Sequence, residues 1–490
     1  MSVDDILTIK LNSNDNVATA FNNIAKGEIT QHIKVENDIP KGHKIALKKI
    51  LKGEKIIKYD QIIGLARNDI NIGEHVHVEN TEFKSTEHDY EFSTSIRLPN
   101  FVPESQRPTF DGFKRPNGQV GTRNYIGILT SVNCSATAAR NIANAFDDNI
   151  LSQYPNVNGV VSFTHGTGCG MADSGDGFEA LQRVLLGYIQ HPNLAGVLLI
   201  GLGCEANQIK FLLDAYNLNE NPFFQTMTIQ EMGGLRKTIE EGIKRIHSML
   251  PEINQLKRSP QSVEHLSLAL QCGGSDAWSG ITSNPALGHA ADLLVKNGGT
   301  AVLAETPEIY GAEHLLTRRA INKTVGDKLV DRILWWEDYV SRNKGSLNNN
   351  PSPGNKAGGL TTILEKSLGA AAKGGTTPLN DVLLYAEKAK SKGFLFMDSP
   401  GYDPASVTGQ IATGCNLVSF TTGRGSAFGS KPSPSIKIAT NTEMYEHMKE
   451  DMDVNAGKVV TNNESIETVG SEIFDLLVRV ASGEKSKSEK

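Results

Sequence analysis

The sequence lacks the features that would place it in a membrane, on nucleic acid or outside the cell. None of the apolar runs in its 490 residues is long enough to cross a bilayer, and residues 1–10 lack the basic-then-apolar order of a signal peptide. The formal net charge is only −6, whereas nucleic acids and anionic membranes are bound by basic surfaces. We therefore expect a cytoplasmic protein that binds neither nucleic acid nor membrane. A small anionic ligand is still compatible with this charge, because a few local Lys and Arg suffice to bind a carboxylate.

Cysteine is scarce as well, with 5 in the whole chain and no Cys-x-x-Cys pair among them. This pattern excludes a disulfide-dense scaffold and does not have the ligand spacing of a zinc finger or a ferredoxin. A Walker loop is absent, and no Gly-x-Gly-x-x-Gly stands at a strand–helix junction, so we expect no nucleotide cofactor. Any metal cluster built from these thiols has to be assembled from separate loops.

The bulk composition, with 39% hydrophobic residues and 47 glycines, is typical of a globular, loop-rich protein of two to four domains. Residues 1–83 alternate short apolar stretches with turn-like segments and predict a small β-rich domain, with one helix near residues 17–25. Residues 84–112 are polar and proline-containing, and we interpret them as a linker. One α/β domain over residues 113–258 and a second over residues 259–490 complete the predicted organisation.

The body of the chain repeats one pattern: an apolar run, a turn of glycines or small residues, and a helical period. This order of strand, turn and helix is the signature of a parallel α/β sheet. The predicted fold class is therefore α/β, with a small β-rich N-terminal domain joined to a larger α/β body whose sheets are mostly parallel. We expect residues 347–359 to be a loop and residues 483–490 to be frayed. The predicted strands are residues 125–130, 159–164, 195–201, 266–270, 300–305, 393–398 and 417–422.

Reactive side chains recur just after these strands, where ligands collect in parallel α/β sheets. A single cysteine in such a place is ordinarily a small buried hydrophobe. The recurrence of thiols after four strands favours a metal-binding or active-site role for at least two of them. The residues concerned are Cys134, His165, Cys169, Cys204, Glu205, Cys272, Asp276 and Arg424.

Alternating imidazoles occur in a short segment of the N-terminal domain. If this segment is a strand, His75, His77 and Glu79 lie on one face, because side chains alternate along a strand. Two imidazoles and a carboxylate suit a divalent metal such as Fe²⁺, Mn²⁺ or Zn²⁺, and the alternative is an exposed polar strand face. The turn Pro40-Lys41-Gly42-His43-Lys44 carries a titratable pair, although by itself it is typical of a solvated turn.

Two further loops each expose one cation among residues that allow close backbone approach. They are Thr422-Gly423-Arg424-Gly425 and Pro351-Ser352-Pro353-Gly354-Asn355-Lys356. A guanidinium or ammonium group held in this way suits a clamp for a carboxylate. The alternative for each loop is an ordinary tight turn.

Taken together, these segments resemble the altronate/galactarate dehydratase family, and the resemblance covers essentially the whole chain. The resemblance implies an N-terminal domain similar to the antifreeze-like/SAF module, a divalent metal such as iron, and hexonate or hexarate substrates. The His-Val-His segment and the length resemble the altronate branch, whereas residues 315–326 and the tail from Asp453 resemble the galactarate branch. The matching stretches are residues 42–44, 73–77, 117–124, His165 with Gly168-Cys169, and residues 200–205, 272–276, 350–356 and 422–425.

The chemistry of dehydration assigns roles to the candidate residues. Removing water next to a carboxylate needs a base, a cation for the enediolate and an acid for the leaving hydroxyl. We assign the base to His165, which follows a predicted strand and titrates near neutrality, and we expect His43, Lys44 and His77 to close the site from the N-terminal domain. The full predicted set is His165, His43, Lys44 and Asp276 for catalysis, Lys356, Arg424, Asn355 and Arg123 for the substrate, and His75, His77, Cys134, Cys169 and Cys272 for a divalent metal, Fe²⁺ or alternatively Mn²⁺.

The predicted function is that of a hydro-lyase that dehydrates an aldonic or aldaric sugar acid, altronate ahead of galactarate, to a 2-keto-3-deoxy acid. One alternative is a lyase that removes another group, such as sulfite, from a related hydroxy acid. Another is a non-catalytic sugar-acid binding protein, which would keep Arg424 and Lys356 but would not need His165 or the thiols. A homo-oligomer is left open.

Overall fold

The computed structural model of the protein describes residues 7–84 and 90–490. The first six residues of the predicted N-terminal domain and residues 85–89 of the predicted linker lie outside the described residues. The predicted fold class is confirmed, since a small β-rich domain is followed by a larger α/β body with parallel sheets. No helix within the two described ranges is long and apolar enough to span a membrane.

The N-terminal domain is built from short antiparallel strands, because turn-forming segments interrupt the chain every few residues. The strands are β1 (Thr8–Ile9), β2 (Val17–Ala20), β3 (Ile29–Thr30), β4 (Ile33–Lys34), β5 (Lys44–Ala46), β6 (Lys55–Lys58), β7 (Gln61–Ala66), β8 (His75–Val76) and β9 (Thr81–Glu82). They form sheets of order β1-β2-β5-β8 and β6-β7-β9 and the pair β3-β4. The helix predicted near residues 17–25 is wrong. The β-branched Val17 and Thr19 belong to the fully buried strand β2, which pairs with β1 and β5.

The middle domain has a parallel sheet flanked by helices. Its elements are β10 (Thr109–Lys114), β11 (Val120–Gly121), β12 (Tyr125–Thr130), α1 (Ala136–Asn144), α2 (Asp148–Leu151), β13 (Gly159–Phe163), α3 (Asp176–Ile189), β14 (Leu194–Gly201), α4 (Ile209–Tyr216), β15 (Phe224–Thr228), α5 (Leu235–Ile253) and β16 (Ser259–Ser262). The sheet order is β13-β12-β14-β15 with all pairs parallel, so the carboxyl ends of these strands lie along one edge. Outside this sheet, β10 pairs antiparallel with β16 and joins the two ends of the domain.

The C-terminal domain has a larger parallel sheet of buried, apolar strands. Its strands are β17 (Ser267–Cys272), β18 (Thr300–Ala304), β19 (Leu379–Leu383), β20 (Gly393–Met397), β21 (Leu417–Thr422), β22 (Ser435–Ala439) and β23 (Val454–Asn455). Its helices are α6 (Ser283–Lys296), α7 (Glu313–Thr317), α8 (Lys323–Arg342), α9 (Pro353–Ala357), α10 (Ile363–Ala371), α11 (Asp403–Thr413), α12 (Thr442–His447), α13 (Lys458–Thr461) and α14 (Ile466–Ala481). The sheet order is β19-β20-β18-β17-β21-β22-β23.

This strand order contains a reversal that locates a binding crevice. The chain proceeds from β17 to β18 and on to the edge strand β19, and it comes back to β20, which lies between β19 and β18. It then crosses to the other side of β17 with β21 and continues outward through β22 and β23. In open parallel sheets, ligands bind outside the carboxyl ends of the strands at such a topological switch point. A ligand is therefore expected over the carboxyl ends of β17 and β21.

Two expectations about irregular segments are corrected. Residues 347–359 contain the short helix α9, because the Ser352 side chain accepts a hydrogen bond from the Asn355 backbone and the Asn355 side chain accepts one from Ser352. The C-terminal tail is docked and not frayed. It ends in a 3₁₀ turn, Lys487–Glu489, whose Glu489 forms a 2.7 Å ion pair with the buried Arg123.

Candidate active site at the junction of the N-terminal and C-terminal domains

The turn that follows β17 occupies the switch point. The carbonyl oxygen of Gly274 accepts hydrogen bonds from the backbone N–H groups of Gly423 (3.1 Å) and Arg424 (2.8 Å). On the other side, Asn355 donates from Nδ2 to the carbonyl of Ser275 at 2.7 Å. The two predicted cation loops are therefore fastened to this one turn, as the carboxylate-clamp hypothesis requires.

The cations on these two loops are available to a ligand. Arg424 is exposed and Lys356 is half-buried, and neither side chain forms an ion pair or hydrogen bond with any residue in 7–84 or 90–490. Segments that are hydrogen-bonded to the turn, with unengaged cationic side chains, can receive an anion without breaking existing contacts. The structure thus attaches the segments that carry Lys356 and Arg424 to the same Gly274-Ser275 turn.

Three histidines of the N-terminal domain come together against the same loop. Strands β5 and β8 pair with Ile45 opposite His75, which places the His43 turn beside the His75-Val76-His77 segment. His43 Nδ1 lies 3.0 Å from His75 Nε2, and the ring centroids of His43 and His77 are 4.4 Å apart. His43 Nε2 lies 3.3 Å from the carbonyl oxygen of Ala357, directly after Lys356 in the chain.

Close backbone contact makes this junction possible. Gly42 has φ +82°, in the left-handed region, and its carbonyl oxygen would lie 2.3 Å from a Cβ on Gly359. Any larger residue at position 359 would therefore push the two domains apart. Residues 42–44, which resemble the family's motif, thus include Gly42, whose close contact with residue 359 requires glycine at that position.

The histidine trio has the properties of a metal-binding group. Burial lowers the pKa of His75 to about 4 and that of His77 to about 3, so both imidazoles are neutral at neutral pH and keep a nitrogen lone pair. The ligand nitrogens of the trio all lie within 4.8 Å of one another. His77 Nδ1 is buried and has no hydrogen-bond partner among the described residues, which is the kind of atom that a metal ion satisfies.

Lys44 fixes the junction and is not open to a substrate. Its buried ammonium donates to the carbonyl of Gly359 (2.6 Å) and to Glu365 (2.9 Å), which also binds the buried Lys58 at 2.9 Å. Burial lowers the pKa of Lys44 to about 8, whereas the two ammonium groups lower the pKa of Glu365. The predicted catalytic role of Lys44 stays a prediction, and its contacts show a tether between β5 and α10.

Asp403, which the sequence reasoning missed, faces the switch-point turn. It is the first residue of α11, and its Oδ2 would lie 2.6 Å from a Cβ on Gly273. Burial, together with the nearby charge of Glu308, raises the pKa of Asp403 to about 6. An acidic residue is ordinary at a helix N-terminus, so the only available signal was its place after a strand and a Ser-Pro-Gly turn.

A buried charged cluster lies behind the turn and was also largely missed. The thiol of Cys272 accepts from Lys373 Nζ at 2.9 Å, and Lys366 pairs with Glu308 at 2.7 Å. Both carboxylate oxygens of the buried Glu305 lack a hydrogen-bond partner among the described residues, and burial raises its pKa well above the ordinary value. Glu305 ends a predicted strand, and this was the signal that could have identified it. Each of the two ammonium groups thus contacts one acidic group of this buried cluster, Lys373 the Cys272 thiol and Lys366 the Glu308 carboxylate.

Two predicted site residues, Asp276 and Asn355, form hydrogen bonds that hold the turn after β17 in place. Asp276 is buried, and its carboxylate accepts from the backbone N–H groups of Trp278 and Ser279 (both 3.0 Å) and from the hydroxyl of Thr440 (3.0 Å). Asn355 is engaged in the α9 cap and in its bond to Ser275. Both residues therefore position the site, and their predicted direct roles remain untested.

Arg123 lies away from this site, in the contact between the middle domain and the C-terminal tail. All five of its N–H donors are used, by Glu489 and by the carbonyl oxygens of Thr122, Val480 and Glu484. No donor is left for a substrate, so this geometry gives Arg123 a structural role in place of the predicted one.

His165 lies at the carboxyl end of β13 in the middle domain, as predicted, but both of its ring nitrogens are engaged. Nε2 donates to the carbonyl of Thr130 at 2.9 Å, and Nδ1 accepts from the backbone N–H of Thr167 at 3.2 Å. Burial lowers its pKa. The base role of His165 stays a prediction, and its bonds favour a role in holding the loop that follows β13.

The five predicted metal ligands do not form one set. The structure brings His75 and His77 together with His43, whereas Cys272 lies with Glu305 and Glu308 in the C-terminal domain. Cys134 and Cys169 are exposed on loops of the middle domain. A single ion at the domain junction is thus matched by the histidines alone.

Comparison with known proteins covers each part of the chain. Residues 6–84 match the altronate/galactarate dehydratase SAF domain, residues 112–254 the second domain of D-galactarate dehydratase/altronate hydrolase, and residues 263–490 the C-terminal domain of D-galactarate/altronate dehydratase. The chain is 38% identical to an altronate dehydratase of Bacillus subtilis, over 98% of this chain and 96% of that protein. It is 35% identical to a galactarate dehydratase (L-threo-forming) of Escherichia coli, over 97% and 93%. A (2R)-sulfolactate sulfo-lyase subunit beta of Chromohalobacter salexigens is 31% identical over 78% of this chain and 94% of that subunit. The chain therefore belongs to the altronate/galactarate dehydratase family.

Proposed function

We propose that the protein is a metal-dependent hydro-lyase that removes water from an aldonic or aldaric sugar acid and yields a 2-keto-3-deoxy acid. One observation carries the proposal: two unengaged cations, Lys356 and Arg424, flank the switch-point turn beside three neutral histidines. Relatives named altronate dehydratase and galactarate dehydratase support the substrate class. We propose altronate first and galactarate second.

The histidine trio is the proposed site of a divalent metal, Fe²⁺ with Mn²⁺ as the alternative. His43, His75 and His77 would hold it, and His43 thus changes from a predicted catalytic residue to a proposed ligand. When bound, such an ion supplies a Lewis acid for the oxygen atoms of the substrate. Burial keeps the three rings neutral and oriented whether or not the ion is present.

Lys356 and Arg424 are the proposed substrate-binding residues, and Asp403 is the proposed base. Lys356 and Arg424 bind the substrate carboxylate through charge-assisted hydrogen bonds, and the same bonds strengthen as negative charge develops in the enediolate. Asp403 is the proposed base in place of His165, because its pKa of about 6 leaves it ionised yet basic at neutral pH.

The proton balance closes within the site. Asp403 takes the proton from the carbon next to the carboxylate, and that proton can pass to the leaving hydroxyl, which departs as water. The enol that remains takes up a proton from solvent at C3, while the enol O–H loses one, to give the keto acid. No oxidant, reductant or co-reactant is required.

The test is turnover by the full chain, prepared without oxygen and loaded with Fe²⁺, against a panel of hexonates and hexarates. Wild-type protein is expected to release a 2-keto-3-deoxy acid and to exchange the C2 proton with solvent deuterium. Asp403→Asn should abolish the exchange, whereas Asp475→Asn, on the exposed face of α14, should leave it unchanged. Binding of a sugar acid without turnover of any panel member would instead support the non-catalytic alternative.

A second candidate is elimination of sulfite from a sulfonated hydroxy acid. The match to the sulfo-lyase subunit favours it specifically, and the same carboxylate clamp would serve such a substrate. Detection of free sulfite from sulfolactate, with no keto acid from the sugar-acid panel, would replace dehydration by this reaction.

A further inference from the structure

Three cysteines line one edge of the middle-domain sheet. Cys134 follows β12, Cys169 follows β13 and Cys204 follows β14, and these three strands are direct neighbours with parallel direction. All three thiols are exposed, whereas Cys272 and Cys415 are buried in the C-terminal domain. Since parallel neighbours end at the same edge, the fold places three exposed thiols along one edge of the sheet.

The loops that carry these thiols are fastened to one another. The backbone N–H of Asn133, next to Cys134, donates to the carbonyl of Thr167 at 3.0 Å, and the N–H of Ala206 donates to the carbonyl of Cys169 at 2.9 Å. Each cysteine loop is thus hydrogen-bonded to the next. This arrangement holds the thiols as a group and not as three independent surface residues.

A buried carboxylate and the engaged histidine complete this framework. Glu205 accepts from the Ser131 hydroxyl at 2.5 Å and from the Gly203 N–H at 2.6 Å, which ties the end of β12 to the turn that carries Cys204. His165 ties the third loop to β12 through the carbonyl of Thr130. The residues that the dehydration site does not use are therefore the ones that organise the three thiols.

Open space surrounds the central loop. A Cβ added to Gly166, Gly168 or Gly170 would meet no atom within 4 Å. The space into which a side chain at these glycines would extend is thus unoccupied by the described chain. A loop that is fixed by backbone bonds at both ends and yet bordered by empty space can accommodate a bound group of several atoms.

The separation of the thiols distinguishes between ligands. Four thiolates on one tetrahedral Zn²⁺, with Zn–S bonds of about 2.3 Å, lie roughly 3.8 Å apart. Among the described residues, the groups whose ligand atoms all lie within 4.8 Å do not include these three thiols, so at least one pair is more widely spaced. In a [4Fe–4S] cluster each thiolate binds a different iron, and the ligands are accordingly farther apart.

We propose that Cys134, Cys169 and Cys204 hold a [4Fe–4S] cluster on the edge of the middle-domain sheet. Three thiolates bind three of the irons, and no fourth cysteine in the described chain shares this edge. The fourth iron is therefore left for an oxygen or nitrogen ligand. This site is separate from the histidine trio, and its existence does not depend on the proposed dehydratase activity.

The test measures iron and acid-labile sulfide in the full chain, prepared without oxygen and supplied with ferrous iron and sulfide. About four sulfides per chain are expected, with the visible absorption and, after reduction, the electron paramagnetic resonance signal of a thiolate-bound cluster. Cys134→Ser, Cys169→Ser and Cys204→Ser should each lose most of the sulfide. Cys415→Ala, which removes a thiol from another domain, should keep it.

A histidine variant separates this site from the proposed metal centre. His77→Ala should lower only the iron that exceeds the sulfide and should leave the sulfide content unchanged. Unchanged melting temperatures of the cysteine variants would show that their sulfide is not lost through unfolding. If a variant has a lowered melting temperature, the three thiols of the native wild-type protein are alkylated before cluster assembly instead. This alkylation should block sulfide uptake. Failure to bind sulfide, zinc in place of iron, or sulfide retained after all three thiols are blocked would overturn the proposal, even if dehydration is confirmed.

Discussion

The two parallel sheets of this protein present reactive residues on their carboxyl edges, but the edges differ in what lies over them. The C-terminal edge is closed by the N-terminal domain, which reaches it through the Gly42–Gly359 contact and the bond from His43 to Ala357. The middle-domain edge carries three exposed thiols instead. Strand direction thus decides where reactive groups collect, and the covering domain adds its own histidines at the C-terminal edge, where burial lowers the pKa values of His75 and His77.

The largest expected effect comes from removing a ligand at the covered edge. His77→Ala should reduce the metal that is not accompanied by sulfide from about one ion per chain to almost none, and activity should fall on the order of a thousandfold. Elemental analysis and steady-state rates measure both quantities. His447→Ala, an exposed histidine of α12, serves as the control. Full metal content in the His77 variant would remove this residue from the ligand set.

The histidine trio at the covered edge should also keep its metal in mild acid. Because the pKa of His75 is lowered to about 4 and that of His77 to about 3, protons should not compete with the metal at these two rings between pH 8 and 5, and burial also lowers the pKa of His43. Metal occupancy after dialysis over this range is therefore expected to stay constant. Release with a midpoint near pH 6.5 would show that the rings have ordinary imidazole pKa values and that burial at the domain junction does not desolvate them.

Replacement of the proposed base should cost nearly as much as loss of the metal. Asp403→Asn is expected to lower kcat by about 10²–10⁴-fold, the usual contribution of a general base, with the metal content unchanged. A base acts in its deprotonated form, so kcat/KM of the wild type should rise as the pH passes through about 6 and then level off. A profile without this limb, or a variant with normal kcat, would return the base role to His165.

Removal of one clamp cation should have a smaller effect. Lys356→Ala deletes one charge-assisted bond to the carboxylate and should lower kcat/KM by about 10- to 100-fold, equivalent to roughly 1.5–3 kcal/mol. Lys390→Ala, an exposed lysine of the same domain, is the matched control. Unaltered kcat/KM for every sugar acid would place the substrate carboxylate elsewhere.

The sequence was sufficient for the features that depend on local pattern. Strands β12 and β21 begin and end where their apolar runs predicted, and the strand-end position of the reactive residues followed from the alternation of strand, turn and helix. The turn at residues 422–425 was recognised because glycine marks turns, whereas the segment of Lys356 contains helix α9. These features need only neighbouring residues to be specified.

The features that failed depend on contacts between distant segments. Whether Arg123 meets a substrate or the C-terminal tail is decided by residues more than 350 positions away, and no local pattern encodes that choice. The sequence likewise could not show that His43 joins the pair at 75 and 77, since the pairing of β5 with β8 brings them together. Asp403 was missed because an acid at a helix start has an ordinary structural explanation.

The smallest expected effect tests whether Arg123 belongs to the structure or to the site. Glu489→Gln leaves three backbone carbonyls for the guanidinium of Arg123 but removes its charged partner, so we expect a loss of about 1–3 kcal/mol in stability. The melting temperature should fall while KM and kcat stay unchanged. Glu446→Gln, which breaks an exposed pair with Lys449, should cost at most about 1 kcal/mol. If Glu489→Gln instead left the melting temperature unchanged and raised KM for sugar acids, Arg123 would be reaching a ligand after all. The middle domain would then contribute directly to the covered edge, and the contrast between the two edges would no longer hold.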